Sequence, residues 1–173
     1  MSLTMDAVMA ELGRVDPGAG IDEVCKAVTH GSLMGARGNS GVILSQILRG
    51  ICDGLLAADG LGPASISSAL DHASTVAYQA VRKPVEGTML TVVKDGAAAA
   101  AAGAAAGLPM PTLLDAIVDA AYESVRRGPD LLPVLKENGV VDAGGFGVAI
   151  LAEGFVSALE GAALRRAEEI VAA

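Results

Sequence analysis

Tryptophan is missing from this 173-residue sequence, and only two tyrosines and two phenylalanines make up its aromatic content. So few rings leave nothing on which bases can stack. Positive charge is also scarce, with 12 Lys and Arg against 20 Asp and Glu for a formal charge of −8. Such an acidic chain has no stripe to neutralise a phosphate backbone, which excludes nucleic acid as a main partner. Cys25 and Cys52 are the two cysteines. They form neither a disulfide framework nor a zinc site and read as buried thiols in a reducing compartment. The two histidines, His30 and His72, stand in no metal spacing. Asp-x-Asp occurs nowhere in the chain. Met1 to Leu12 carries acids and no basic n-region, unlike a secretory signal. The longest uncharged stretch, Gly96 to Leu114, is Ala/Gly-rich and contains Pro109 and Pro111, which makes a poor membrane span. The expectation is a soluble cytoplasmic protein with no membrane span.

Hydrophobic types make up 52% and charged types 18%, which rules out intrinsic disorder. The length suits one domain, taken as 1–173. Apolar residues recur at three and four almost throughout, with no run of strict alternation, so the fold class is all-α. Helices are expected over 2–13, from Asp22 to Met34, and from Asn39 or Ser40 through Leu44, Ile47, Leu48, Ile51 and Leu55. A fourth follows Gly62-Pro63, with Ile66, Leu70, Ala73 and Ala77 inward. A fifth runs from Thr88 to Ala106 and holds the Ala97–Ala102 run, whose small side chains allow close packing. A sixth (112–127) stops at Gly128-Pro129, a short seventh covers 130–137, and the last runs from Gly144 to the C-terminus. Its Val148, Leu151, Phe155 and Leu159 share one face. His72 lies on a polar face, where solvation explains it. Asp115, Asp119 and Glu123 align at i, i+4 and i+8, either to hold a cation or as a solvated outer face.

Glycines carry the clearest functional signal, because they gather at three helix starts. Gly35-Ala36-Arg37-Gly38-Asn39-Ser40-Gly41 precedes the strongly apolar third helix. Free amides and the positive end of the dipole at such a start suit phosphate. Gly38 and Gly41 would let an anion approach the backbone, while Asn39 and Ser40 add donors or act as a plain N-cap. It is not a Walker A loop, for it lacks the Gly-Lys-Ser/Thr ending and no strand precedes it. In Glu86-Gly87-Thr88-Met89-Leu90, Thr88 either caps the fifth helix or holds a ligand group, and Met89 can lie against a flat ring. In Val141-Asp142-Ala143-Gly144-Gly145-Phe146-Gly147, Asp142 is an N-cap by default. Three glycines in four positions exceed what capping needs, so a ligand or a neighbouring helix must approach closely.

Together, the segments from His30 to Gln46, Glu86 to Thr91 and Leu132 to Gly145 resemble the nucleotide-binding (DhaL-like) domain shared by dihydroxyacetone kinases and bacterial fatty acid kinases. Their wording is most similar to the N-terminal domain of the fatty acid kinase. Phe146 departs from the Gln of that pattern. The resemblance implies an antiparallel barrel of about eight helices with ATP at one open end. It implies phosphate contacts at Gly38, Asn39, Ser40 and Gly41, nucleotide borders at Thr88 and Met89, and closure by Asp142, Ala143 and Gly144. Arg37 either approaches phosphate or pairs with a rim acid, and His30 and Ser32 are assigned packing roles. The family's Asp-Gly-Asp-Thr-Gly-type loop, whose aspartates hold two magnesium ions, precedes the segment matching Met1 to Met5. Neither this loop nor the family's first helix is in the chain, which is therefore expected to be inactive as a kinase by itself, with no catalytic or metal-ligating residue of its own. It is either part of a complete kinase or a relic that lost catalysis. The groove left by the first helix is expected to be covered by self-association or by an apolar molecule. In the complete protein the implied reaction is transfer of the ATP γ-phosphate to a fatty acid carried by a separate binding protein. The alternative is a non-catalytic lipid-binding or oligomerisation module.

Overall fold

A computed structural model describes residues 1–161. They form α1 (Ser2–Leu12), α2 (Ile21–Gly35), α3 (Gly38–Leu56), α4 (Pro63–Gln79), α5 (Met89–Ala105), α6 (Met110–Leu131), α7 (Pro133–Asn138) and α8 (Ala143–Glu160). No strand occurs among the described residues. The architecture is the expected all-α one. Helices α1 to α6 pack each on the next, and α8 lies on α5 and α6. Neighbours run antiparallel: Gly50 meets Ala73 while Gly54 meets Ala69, and Gly87, Gly96 and Gly103 meet Gly128, Ile117 and Leu113. The result is a barrel-like array.

Small residues bring α3 and α4 close. A Cβ on Gly50 or Gly54 would lie 2.5 Å from the Cα of Ala73 or Ala69, so the two backbones touch without intervening side chains. Leu44, Ile47, Ala73, Ala77, Met89, Leu90 and Val93 form one core between α3, α4 and α5, with Met1 and Met5 of the first turn packed against it. Val92, Val118, Tyr122, Val125, Ala149 and Val156 form a second between α5, α6 and α8. Cys25 and Cys52 are both buried free thiols.

Several boundaries and faces differ from expectation. Helix α6 does not stop at Gly128-Pro129 but continues to Leu131 with Pro129 inside it. Proline removes only its own N–H, a limited loss so near the end, and Leu132 N–H closes the final turn on Gly128 O at 2.9 Å. The seventh helix accordingly starts at Pro133 rather than 130, with proline in its first turn. Helix α3 begins at Gly38, one residue before Asn39, with Arg37 as N-cap. Helix α8 buries Gly145, Ala149, Glu153 and Val156, whereas Phe155 and Leu159 on the expected apolar face are each 62% exposed. Small residues let α8 pack closely, and the buried Glu153 carboxylate accepts a hydrogen bond from the Tyr122 hydroxyl. By length and composition alone α8 could cross a membrane; in this fold it packs on α5 and α6. Its expected continuation beyond residue 161 lies outside the described residues.

Candidate functional site

The three glycine-rich corners converge on one end of the array, around the first turn of α1. At the first corner, the Thr4 hydroxyl donates to Gly35 O at 3.4 Å, and a Cβ on Gly41 would lie 3.0 Å from Thr4 Oγ1. At the third, the Met1 side chain lies against Gly147, where a Cβ would come within 3.0 Å of it. The second and third corners meet directly. One Asp142 carboxylate oxygen accepts from the amides of Met89 (3.1 Å) and Gly145 (2.6 Å), so the side chain that caps α8 also takes the first amide of α5. No Cβ stands at Gly144 to crowd it: one placed there would lie 3.1 Å from that oxygen and 3.4 Å from the Met89 sulfur.

The amides at these starts are used differently. In α5, Met89 N–H goes to Asp142 and Leu90 N–H to Thr88 Oγ1 at 3.4 Å, while Thr88 O accepts from Thr91 and Val92. Thr88 is thus the cap of α5, and its hydroxyl donates to Val85 O at 2.7 Å. Helix α3 has no side-chain cap. Its first three amides, on Gly38, Asn39 and Ser40, meet no acceptor among the described residues, and all three residues are exposed. Gly38 has φ +63°, a left-handed conformation that favours glycine, and a Cβ there would meet nothing within 4 Å. The start of α3 is therefore an open, donor-rich turn at the positive end of a 19-residue helix.

The other predicted residues fall around this turn in distinct roles. Gly41 is buried beneath it; Ala143 is exposed; Thr88, Asp142 and Gly144 are half-buried. Met89 is 3% exposed and faces the core. Arg37 pairs with no acid among the described residues. Its guanidinium donates to Met34 O and Ala36 O at 3.0 and 2.7 Å, which satisfies carbonyls at the C-terminal end of α2. Ser32 is buried and donates to Thr29 O, in keeping with packing. His30 does not pack: it is 61% exposed, with Nδ1 3.5 Å from Glu11 Oε2. Phe146 packs in the second core, tilted against the Tyr122 ring at 6.5 Å. Glu123 pairs with Arg126 at 3.0 Å.

The turn before α5 contains a polar cluster that periodicity and motif spacing did not reveal. Glu86 accepts from the Tyr78 hydroxyl (2.9 Å), the Thr91 hydroxyl (2.8 Å) and the Lys94 ammonium (2.8 Å). Its partners lie 8, 5 and 8 residues away, spacings belonging to no local motif. The bond from Lys94, reinforced by those from Thr91 and Tyr78, holds the Glu86 carboxyl below its ordinary range. Burial, then the Glu86 carboxylate, pushes the Tyr78 phenol up.

Comparison with known families bears on this arrangement. The DAK2 domain matches residues 1–157. The chain belongs to this family, the DhaL-like domain of the dihydroxyacetone kinase family. Among relatives of this DAK2 chain, Protein YloV of Bacillus subtilis (strain 168) is 44% identical over 161 residues, covering 93% of the chain and 29% of YloV. Uncharacterized proteins of Staphylococcus aureus strains bovine RF122 / ET3-1 and USA300 show the same identity and the same coverage. The DAK2 chain thus spans less than a third of the length of these curated relatives.

Proposed function

We propose that this DAK2 domain binds the ATP of a phosphotransferase, with the phosphates at the start of α3. The observation that carries this reading is the contrast among helix starts. Gly38, Asn39 and Ser40 present amides to open space, while the leading amides of α5 are met within the fold. Anions bind where such donors and a helix dipole coincide. Thr88 then shapes the neighbouring wall with Met89 buried behind it, and Asp142, Ala143 and Gly144 complete it. The similarity of its motifs to fatty acid kinase supports a fatty acid on a separate carrier protein as acceptor, and use of ATP suits a cytoplasmic site.

Among the described residues no group of three or more His, Cys, Asp or Glu side chains gathers, and we assign no magnesium ligand to them. Phosphoryl transfer depends on positioning and metal-assisted charge neutralisation, so this chain supplies the nucleotide seat and no metal-dependent step is assigned to it. Calorimetric titration tests the seat: ATP binds the protein, and Ser40→Phe weakens binding at least tenfold without unfolding it. Equal affinity for both would remove the phosphate role of α3. A non-catalytic apolar-ligand or self-association module is the second reading, favoured by the exposed Phe155 and Leu159 face of α8. Binding of a fatty acid without any ATP binding would select it.

A further inference from the structure

We propose that Glu86 is the positioning residue of the candidate site, holding the α4–α5 turn so that the Met89 amide reaches Asp142. This assignment rests on the nucleotide reading only for its consequence in affinity; its structural content stands apart. Three side chains from two helices converge on the carboxylate: Tyr78 from the end of α4, and Thr91 and Lys94 from the first turns of α5. Lys94 also sits 5.7 Å from the centroid of the Tyr78 ring, which ties the ammonium to both partners. Thr91 is 2% exposed and relays the contact, since its hydroxyl donates to Glu86 and accepts the Gly87 amide at 2.8 Å.

Gly87 is the hinge of this turn. Its φ of +81° favours glycine, and a Cβ would come 2.8 Å from Gly128 O on α6, so this peptide is held between α5 and α6. Glycine alone leaves the direction of the following residues free. The chain from Lys94 and Tyr78 through Glu86 and Thr91 to the Gly87 amide fixes it. Thr88 then bonds back to Val85 O, and Met89 N–H meets Asp142, 53 residues away. Hydrogen bonds to a charged group are the stronger kind, and a partly satisfied network loses much of its value. Glu86 touches no ligand position itself and acts through the backbone it orients.

The test compares Glu86→Gln, Thr91→Val and Thr91→Ser with the unaltered protein, following amide hydrogen exchange by NMR and ATP affinity by calorimetry. Glu86→Gln and Thr91→Val are expected to speed exchange at Met89 and Gly87 by about tenfold or more, the equivalent of one charged hydrogen bond. Ala149, in the second core, keeps its protection, and Thr91→Ser restores the two amides to within about twofold because it keeps the hydroxyl relay. ATP affinity falls in the first two variants and returns in the third. Unchanged exchange at Met89 in both Glu86→Gln and Thr91→Val overturns the proposal, as does a uniform rise at Met89 and Ala149 alike. If the unaltered protein binds no ATP, the nucleotide reading fails, while the exchange at Met89 still decides the role of Glu86.

Discussion

Asp142 shows how much one residue can carry. Its carboxylate oxygen caps α8 and also accepts the first amide of α5, two helices whose starts, Ala143 and Met89, are 54 residues apart. Losing an N-cap costs typically about 1 kcal/mol and losing a further hydrogen bond to a charged group at least about as much, so Asp142→Ala should destabilise the fold by roughly 2 kcal/mol, measurable as a lower urea midpoint with unchanged slope. An Asp before Ala-Gly-Gly was legible in the sequence as the cap of α8. The bond to Met89 was not, because nothing local encodes a contact made by packing α8 onto α5. Glu86 and Cys52 give opposite pH signatures. Since the folded Glu86 carboxyl titrates below its unfolded counterpart, its contribution is complete above the ordinary carboxylate range and disappears as pH falls through the lower folded value. Burial, with Cys25 alongside, pushes the Cys52 thiol from about 9 up to about 12. Between those values the unfolded thiol has lost its proton and the folded one has kept it, so stability drops as pH rises from about 9 toward 12. Cys52→Ser should flatten that alkaline limb in a series of denaturation midpoints. The thiolate is the reactive form, so iodoacetamide at pH 8 should leave Cys52 unlabelled until denaturant is added.

At the scale of elements, the helices were legible because apolar spacing and Gly/Pro punctuation act locally. The exceptions have physical reasons. Pro129 reads as a stop, yet its missing N–H falls in the last turn of α6, where little is lost. Val148, Leu151, Phe155 and Leu159 read as a buried stripe; Val148 and Leu151 do pack against the core, but Phe155 and Leu159 are exposed, and the most buried positions are Gly145 and Ala149, where close approach to α5 and α6 favours small residues. Gly54 separates these effects. In an exposed helix, Gly→Ala stabilises by up to about 1 kcal/mol through propensity. Here the new Cβ would stand 2.5 Å from the Ala69 Cα, so Gly54→Ala should lower the thermal midpoint instead. A raised midpoint would mean that α3 and α4 are not in backbone contact.

For the whole molecule, the sequence motifs pointed to one end of a helical array, and the fold brings the three corners to a common end. What the motifs could not convey is the division of labour among them: Thr88 and Asp142 take the leading amides of α5 and Asp142 takes the Gly145 amide of α8, whereas the start of α3 has no side-chain cap. That difference depends on which side chains reach which amides in three dimensions. The exposed Phe155 and Leu159, near the end of α8, form an apolar face that self-association would cover. Sedimentation should show a concentration-dependent dimer that Phe155→Glu with Leu159→Glu converts to monomer. The most direct test of the account is titration of the isotopically labelled protein with ATP, following backbone amide resonances. The prediction is that Gly38, Asn39 and Ser40 show the largest downfield shifts and that Gly38→Ala, strained at its positive φ, abolishes them. Saturable ATP binding that leaves those three resonances in place would contradict it.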